Sequence, residues 1–288
     1  MMTYSILVTG ANGQVGQELQ LLAAQYSDFN FIFTDREALD ITKTKAIDQF
    51  FQENDIQVCI NCAAYTAVDR AESEPEMAKL INETAVGYLA TVCKTYQAPL
   101  FHLSSDYVYH NQLNRPLLET DICQAAGVYA QTKLAGEKLA LAAHKETLII
   151  RTSWVYSSFG HNFVKTMLRL GSERDQLSVV YDQIGAPTYA RDLAQAILSI
   201  IAEGKRDRWS GIYNFANAGV TSWYDFALAI FDLRQINCEV LPILSEAYPT
   251  PSPRPNFSLL DTTKIQKTFD IETPYWRNSL KACLKLIL

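Results

Sequence analysis

The 288-residue sequence predicts an α/β fold, a doubly wound parallel sheet followed by a smaller, mixed α/β part. Three observations predict it. Short apolar runs of strand type alternate with helix-period segments through the first half. A glycine-rich turn, Gly10, Gly13 and Gly16, joins the first such run to the first helix. The regular alternation stops after about Trp154.

In chain order, residues 6–9 form a strand and 14–25 a helix carrying Leu19, Leu21 and Leu22. Residues 29–34 form the second strand, ending at Asp35. Residues 40–54 have helical spacing, with Ile47, Phe50 and Phe51 on one side. A third strand covers 58–63. Residues 75–97 form one long helix with apolar positions at Met77, Leu80, Ile81, Leu89 and Val92. Strand 99–104, helix 129–143 and strand 147–151 complete the pattern. Repeated βα units place helices on both faces of a parallel sheet, and ligands bind beyond the carboxyl ends of its strands. Beyond Trp154 the spacing predicts helices over 162–170, 191–203 and 222–232, the last capped by Ser222, and strands over 177–181 and 211–215. Four prolines between Pro249 and Pro255 forbid a helix and hold Arg254 in an extended segment, either a rigid connector or a pocket wall. The division expected is 1–154 for the first part and 155–288 for the second, with some later segments returning to the sheet.

Composition excludes several functions. The chain is 48% hydrophobic and 19% charged, with a net charge of −6 and no basic patch, so nucleic acid is not an expected partner. Met1-Met2-Thr3-Tyr4-Ser5 leads straight into the first strand without a basic n-region, so no signal peptide is expected. No apolar run approaches the roughly 20 residues of a membrane span. Cys59 and Cys62 form a C-x-x-C inside an apolar strand with no second pair and no nearby histidine, which points to buried thiols and a reducing cytoplasm rather than a metal site.

The glycine turn is spaced G-x-x-G-x-x-G. Such a turn lets backbone N–H groups of Gln14 and Val15 approach a pyrophosphate at a helix N-terminus, where negative charge is favoured. Asp35 lies roughly 20 residues on, where a carboxylate accepts the ribose hydroxyls of NAD. Arg36 follows at once and suits the 2′-phosphate of NADP, so both NADH and NADPH are expected cofactors. Asp40 and Ile41 either flank the adenine or, for Asp40, cap the next helix. The small residues Ala63 and Ala64, with Tyr65, allow close approach of a cofactor after the third strand.

Tyr129 and Lys133 stand i, i+4 on one helix face. A neighbouring ammonium favours a phenolate, so the pair reads as a tuned proton-transfer group. Ser105, at the end of the fourth strand, supplies a hydroxyl that can orient a carbonyl toward Tyr129. Ordinary loop capping is the simpler role for that serine.

Taken together, the sequence resembles the extended short-chain dehydrogenase/reductase superfamily over nearly its whole length. The blocks that carry the resemblance are Gly13–Gly16, Ala67–Glu72, Ser105–Val108, Tyr129–Lys138, Arg151–Tyr156, Gly185–Thr188 and Pro249–Pro255. The resemblance implies a Rossmann-type sheet and a smaller substrate-binding part. It implies NADPH- or NADH-dependent reduction of the C4 keto group of dTDP-4-dehydro-L-rhamnose, for cell-surface polysaccharide synthesis. Under it Tyr129 protonates the C4 oxygen, Lys133 holds the nicotinamide ribose, and Ser105 replaces a more usual threonine. Asp106, Trp154 and Arg254 lie beside the substrate. Some members are described as dimers bridged by magnesium through surface carboxylates. Glu18 matches one such position, but Arg191 stands where another glutamate would be, so a monomer or weak homodimer without metal is expected. A dehydratase of this fold usually carries an Asp-Glu pair, whereas Tyr107 follows Asp106 here. An epimerase that retains NAD remains open. So does a non-catalytic role like that of the regulatory subunit of methionine adenosyltransferase.

Overall fold

The computed structural model describes residues 4–287; Met1, Met2, Thr3 and Leu288 lie outside the described residues. Strand β1 (Tyr4–Thr9) leads through the glycine turn into α1 (Gln14–Ala23), followed by β2 (Phe29–Thr34), α2 (Thr44–Asn54) and β3 (Val58–Asn61). Helices α3 (Val68–Ala71), α4 (Pro75–Lys79) and α5 (Ala85–Thr95) come next. Strand β4 (Leu100–Ser105), helix α6 (Val128–Ala143) and β5 (Thr147–Thr152) follow.

The expected helix over 75–97 is broken. A π-helical turn, Leu80–Thr84, separates α4 from α5. Helix α6 packs against this turn: a Cβ on Gly136 would fall 2.0 Å from the Asn82 carbonyl, so the two segments meet backbone to backbone. The turn also aims the buried Asn82 side chain outward from the ladder. Its Oδ1 accepts from the Tyr65 amide at 2.8 Å and its Nδ2 donates to the Tyr65 carbonyl at 3.0 Å. A π-turn inserted at a working position is a common device, and here it fixes the loop after β3.

The second half begins with β6 (Val155–Tyr156), α7 (Phe163–Glu173) and β7 (Gln176–Val180). It continues through β8 (Ile184–Gly185), β9 (Thr188–Tyr189), α8 (Ala190–Glu203), β10 (Gly211–Phe215) and β11 (Thr221–Ser222). It ends with α9 (Trp223–Arg234), β12 (Glu239–Ile243), α10 (Thr263–Phe269) and α11 (Trp276–Leu284). Ser222 caps α9 as expected, accepting from the Asp225 amide at 3.0 Å.

The central sheet has the order β10-β5-β4-β3-β1-β2 and is parallel throughout. Its sixth strand, β10, therefore comes from the second half of the chain. Helices α1 and α8 cover one face through Leu19, Leu193, Ile197 and Ile201, with Trp209 beneath them. Helices α2, α5 and α6 cover the other through Ile47, Phe51, Leu89 and Ala140. A second core joins α7, α9 and α11 to the parallel pair β7 and β12, through Val164, Phe226, Ile230 and Leu280.

Candidate active site

A cleft of about 1000 Å³ opens at the carboxyl ends of β1, β3, β4 and β5. Its floor is the glycine turn. Gly10 has φ +67°, and a Cβ there would fall 2.6 Å from the Ala63 nitrogen; one on Gly16 would fall 2.5 Å from the Gly10 carbonyl. Only glycine permits this stacking of the turn on α1 and on the end of β3. No side chain caps α1, so its first-turn N–H groups face the cleft beside Gly13, Gln14 and Val15. The turn thus offers donors, a positive helix end and room for a pyrophosphate.

Asp35, Arg36, Asp40 and Ile41 line one end of the cleft. The Asp35 carboxylate accepts from Ala38 N and Glu37 N at 3.0 Å and from Asn12 Nδ2 at 2.9 Å. These donors, the Ala38 amide foremost, hold its carboxyl below the usual range. Asp40 does not cap α2, which starts at Thr44. It accepts instead from the Thr42 amide and hydroxyl, a local turn that keeps its carboxylate at the cleft wall.

Ser105, Asp106, Tyr129 and Lys133 line the other end. Ser105 Oγ donates to Asp106 Oδ1 at 3.1 Å and accepts from the Tyr107 amide at 3.3 Å, so the loop-capping role and an inward hydroxyl coexist. Burial pushes the Asp106 carboxyl up to about 6, with hydroxyls of Ser258 and Ser105 holding it back. Burial also pushes the Tyr129 phenol up to about 12, against a hydrogen bond with Ser105. Burial outweighs the lowering expected of an adjacent ammonium. Lys133 turns inward, and its Nζ donates to the Leu103 carbonyl at 2.6 Å. Its own side chain is buried, which pulls the amine down to about 8.

Three expected residues do not line the cleft. Gly16 lies under the turn, where its role is packing. The Tyr65 hydroxyl turns away to donate to Glu74 Oε2 at 2.8 Å. Arg254 is held by Asp69 at 2.7 Å and lies over the Tyr107 ring at 5.8 Å. The proline-rich segment thus clamps Arg254 Nη2 on Asp69, while Arg254 Nη1 is buried without a hydrogen-bond partner among the described residues. Gly127, at φ +81°, leaves no space between Ser252 and Glu72, and Glu72 accepts from the Val128 amide at 2.9 Å. Asp69 and Glu72 therefore tie the segment to the start of α6, the turn that carries Tyr129.

Trp154 lines the cleft with φ +48°, and its ring stacks on Trp223 with centroids 3.7 Å apart. Trp223 also lines the cleft and was not anticipated; its only sequence signal is its place directly after a helix cap. Gln14 links the halves as well, donating to the Val155 carbonyl at 3.3 Å and accepting from Asn162 at 2.9 Å.

Glu18 is not a surface carboxylate. It is fully buried, accepting from Ser157 Oγ at 2.6 Å and from Arg191 Nε at 2.8 Å. All six cysteines are free thiols, with Cys59 next to Cys93 rather than bonded to Cys62. Among the described residues no group of three or more His, Cys, Asp or Glu side chains could hold a metal, and no helix is long and apolar enough to cross a membrane.

A parallel sheet, a glycine turn under a cleft and a Tyr-x-x-x-Lys pair beside a strand-end serine define the short-chain dehydrogenase/reductase class. The chain belongs, within that class, to the family described as the RmlD substrate binding domain, whose model matches residues 3–288. It is 40% identical over 285 residues to a dTDP-4-dehydrorhamnose reductase of Aggregatibacter actinomycetemcomitans, covering 96% of this chain and 97% of that one. It is also 40% identical over 291 residues to the dTDP-4-dehydrorhamnose reductase of Salmonella typhimurium, covering 97% of each. The solved structure of a dTDP-4-dehydrorhamnose reductase from Bacillus anthracis, in complex with NADP, matches with TM-score 0.93 at 35% identity over 99% of both chains.

Proposed function

We propose that the chain reduces the C4 keto group of dTDP-4-dehydro-L-rhamnose to dTDP-L-rhamnose with NADPH or NADH, a cytoplasmic step in nucleotide-sugar supply. The observation that carries the reading is the convergence of Ser105, Tyr129 and Lys133 on the cleft whose floor is the glycine turn. The residues fit a dinucleotide: without a Cβ, Gly10 packs on Ala63 and Gly16 on Gly10 and Ala11, which leaves the uncapped N-terminus of α1 open to the cleft. Gly10, Gly13, Gln14 and Val15 would hold its pyrophosphate, and Asp35 and Arg36 its adenosine ribose. Ala63 and Ala64 would lie against its middle, and Lys133 would hold its nicotinamide ribose. When bound, the nicotinamide supplies a hydride.

The chain's own residues do the rest. Ser105 Oγ redirects its single proton from Asp106 to the C4 oxygen and holds that oxygen toward Tyr129. The Tyr129 phenol, protonated at neutral pH, gives its proton to that oxygen as negative charge develops there. Lys133, as the ammonium that prevails below about pH 8, stabilises the phenolate left behind. Asp106 and the Trp154–Trp223 stack bound the sugar pocket and exclude water. A non-catalytic subunit has no need of a hydroxyl, a phenol and an amine set in one cleft.

Glu18 already has Arg191 and Ser157 as partners, which supports a monomer or weak homodimer without a bridging metal. The test of function is oxidation of NADPH or NADH on addition of dTDP-4-dehydro-L-rhamnose and, separately, of its UDP counterpart. Turnover with neither sugar overturns the reading.

A further inference from the structure

A buried polar chain runs through the sheet beneath Lys133, and the proposed reaction leaves it without a task. Thr9 Oγ1 donates to Asn61 Oδ1 at 2.7 Å, and the Ala63 amide donates to the same oxygen at 3.1 Å. A backbone N–H only donates, so it decides which end of the Asn61 amide is oxygen. Asn61 Nδ2 then faces His102 Nδ1 at 3.0 Å. An amide nitrogen only donates as well, so Nδ1 is the acceptor, and a neutral imidazole carries its proton on Nε2. Nε2 lies 3.4 Å from Lys133 Nζ. Asn61 and His102 are 0% exposed and Lys133 2%, so bulk water cannot reorganise the chain. Burial, and then Lys133, hold the imidazole well below its ordinary value, so it stays neutral.

The consequence falls on Lys133. An ammonium has three donors to place, and among the described residues Leu103 O is the one acceptor it bonds. On its other side it would meet a second donor, the Nε2–H of His102. A neutral amine fits both neighbours, giving one N–H to Leu103 and taking the Nε2–H on its lone pair. We propose that Asn61 and His102 are positioning residues for Lys133: the Nε2–H of His102 presents a donor to Nζ, favours amine over ammonium, and makes Lys133 a group that exchanges protons with the cleft.

The proposal rests on the reading of Lys133 as the partner of Tyr129. The other groups facing Nζ pull the opposite way. Cys62, at the end of β3, and Glu137, one turn along α6, both favour the ammonium, and Glu137 is itself neutralised by Arg151 of β5 at 2.6 Å. The net direction is nevertheless toward the amine, with burial dominant and the donor-facing histidine acting in the same sense.

Nitrogen NMR of the histidine side chains in the intact wild-type protein tests the tautomer directly, independent of activity. His102 protonated on Nε2 at about pH 7 is the expected result; a proton on Nδ1 overturns the proposal whether or not the protein is a reductase. The second measurement is the pH dependence of kcat. Asn61→Asp offers Nδ1 an acceptor, flips the tautomer and turns the Nε2 lone pair toward Nζ. It should move the alkaline break upward by about one pH unit, a tenfold change in the protonation constant. His102→Gln, with its oxygen toward Asn61 and its NH2 toward Nζ, should keep the wild-type break. A flipped tautomer with an unmoved break, or the same displacement in both variants, overturns the role assigned to His102.

Discussion

Lys133 follows Tyr129 by one helical turn, yet its Nζ donates to the Leu103 carbonyl at 2.6 Å while burial holds the phenol up at about 12. The site is therefore set as an acid. A phenol that keeps its proton suits reduction, in which the carbonyl oxygen must receive one. The amine is the group of the site that titrates just above neutrality, as Asp106 titrates just below it. Its value falls from 10.5 to about 8 in the folded chain, so the ammonium is lost as pH rises through about 8. The rate of reduction should be level between about pH 6, where Asp106 titrates, and that pH, and fall above it. A kcat–pH profile measured with saturating cofactor checks this; a rate that keeps rising through about pH 9 contradicts it.

Tyr129→Phe removes the proton and leaves the ring in its T-shaped contact with Tyr107, centroids 5.6 Å apart. Turnover should fall by about 10²–10⁴-fold, the usual worth of a general acid. Nucleotide affinity, measured by titration calorimetry, should stay within a few-fold of wild type. An active Tyr129→Phe protein would remove the phenol from the mechanism.

Asp106 gives a stability prediction. It is 2% exposed, and its carboxyl rises from 3.8 to about 6 on folding. A carboxyl raised in the folded state binds its proton more tightly there, so stability is lost as pH climbs from about 4 through about 6. Asp106→Asn should thus be more stable than wild type at about pH 8, by on the order of 2 kcal/mol, and indistinguishable from it near pH 4. Urea unfolding at the two pH values reads the difference; equal effects at both would contradict the assignment.

Glu18 and Arg191 meet across 173 positions of sequence, joining α1 to α8 under the cleft. Arg191→Met strands a fully buried carboxylate. It should cost about 2 kcal/mol, less than the roughly 3–5 of a completely buried pair because the guanidinium is partly exposed. Magnesium should leave the molecular mass in solution unchanged, as light scattering would record. A metal-dependent doubling of mass would show that the pair opens to a cation.

The order of βα units, the glycine turn and the Tyr129–Lys133 spacing were all legible, because each is written in local periodicity or in adjacent residues. What was hidden depends on distant partners. The π-turn at Asn82 interrupts a continuous apolar spacing where Gly136, more than 50 positions on, packs against its backbone. Tyr65 and Arg254 are of the right types for ligand contact, but Glu74 takes the Tyr65 hydroxyl and Asp69 the Nη2 end of Arg254. Lys133 could be placed on the correct helix face, yet its inward turn depends on a carbonyl of β4. The histidines had no readable role, and the one inside the sheet gains one only when Asn61 and Lys133 are seen on either side of it. Strand β10 was foreseen as a strand, while its place beside β5 required the fold.

The most direct measurement is the stoichiometry of the reaction itself: purified protein, NADPH or NADH, and dTDP-4-dehydro-L-rhamnose, followed by nicotinamide absorbance and by product analysis. One reduced nicotinamide should be oxidised and released for each dTDP-L-rhamnose formed, and Tyr129→Phe should abolish both signals together. Product formed without net nicotinamide oxidation, or no product with either cofactor, would contradict the account.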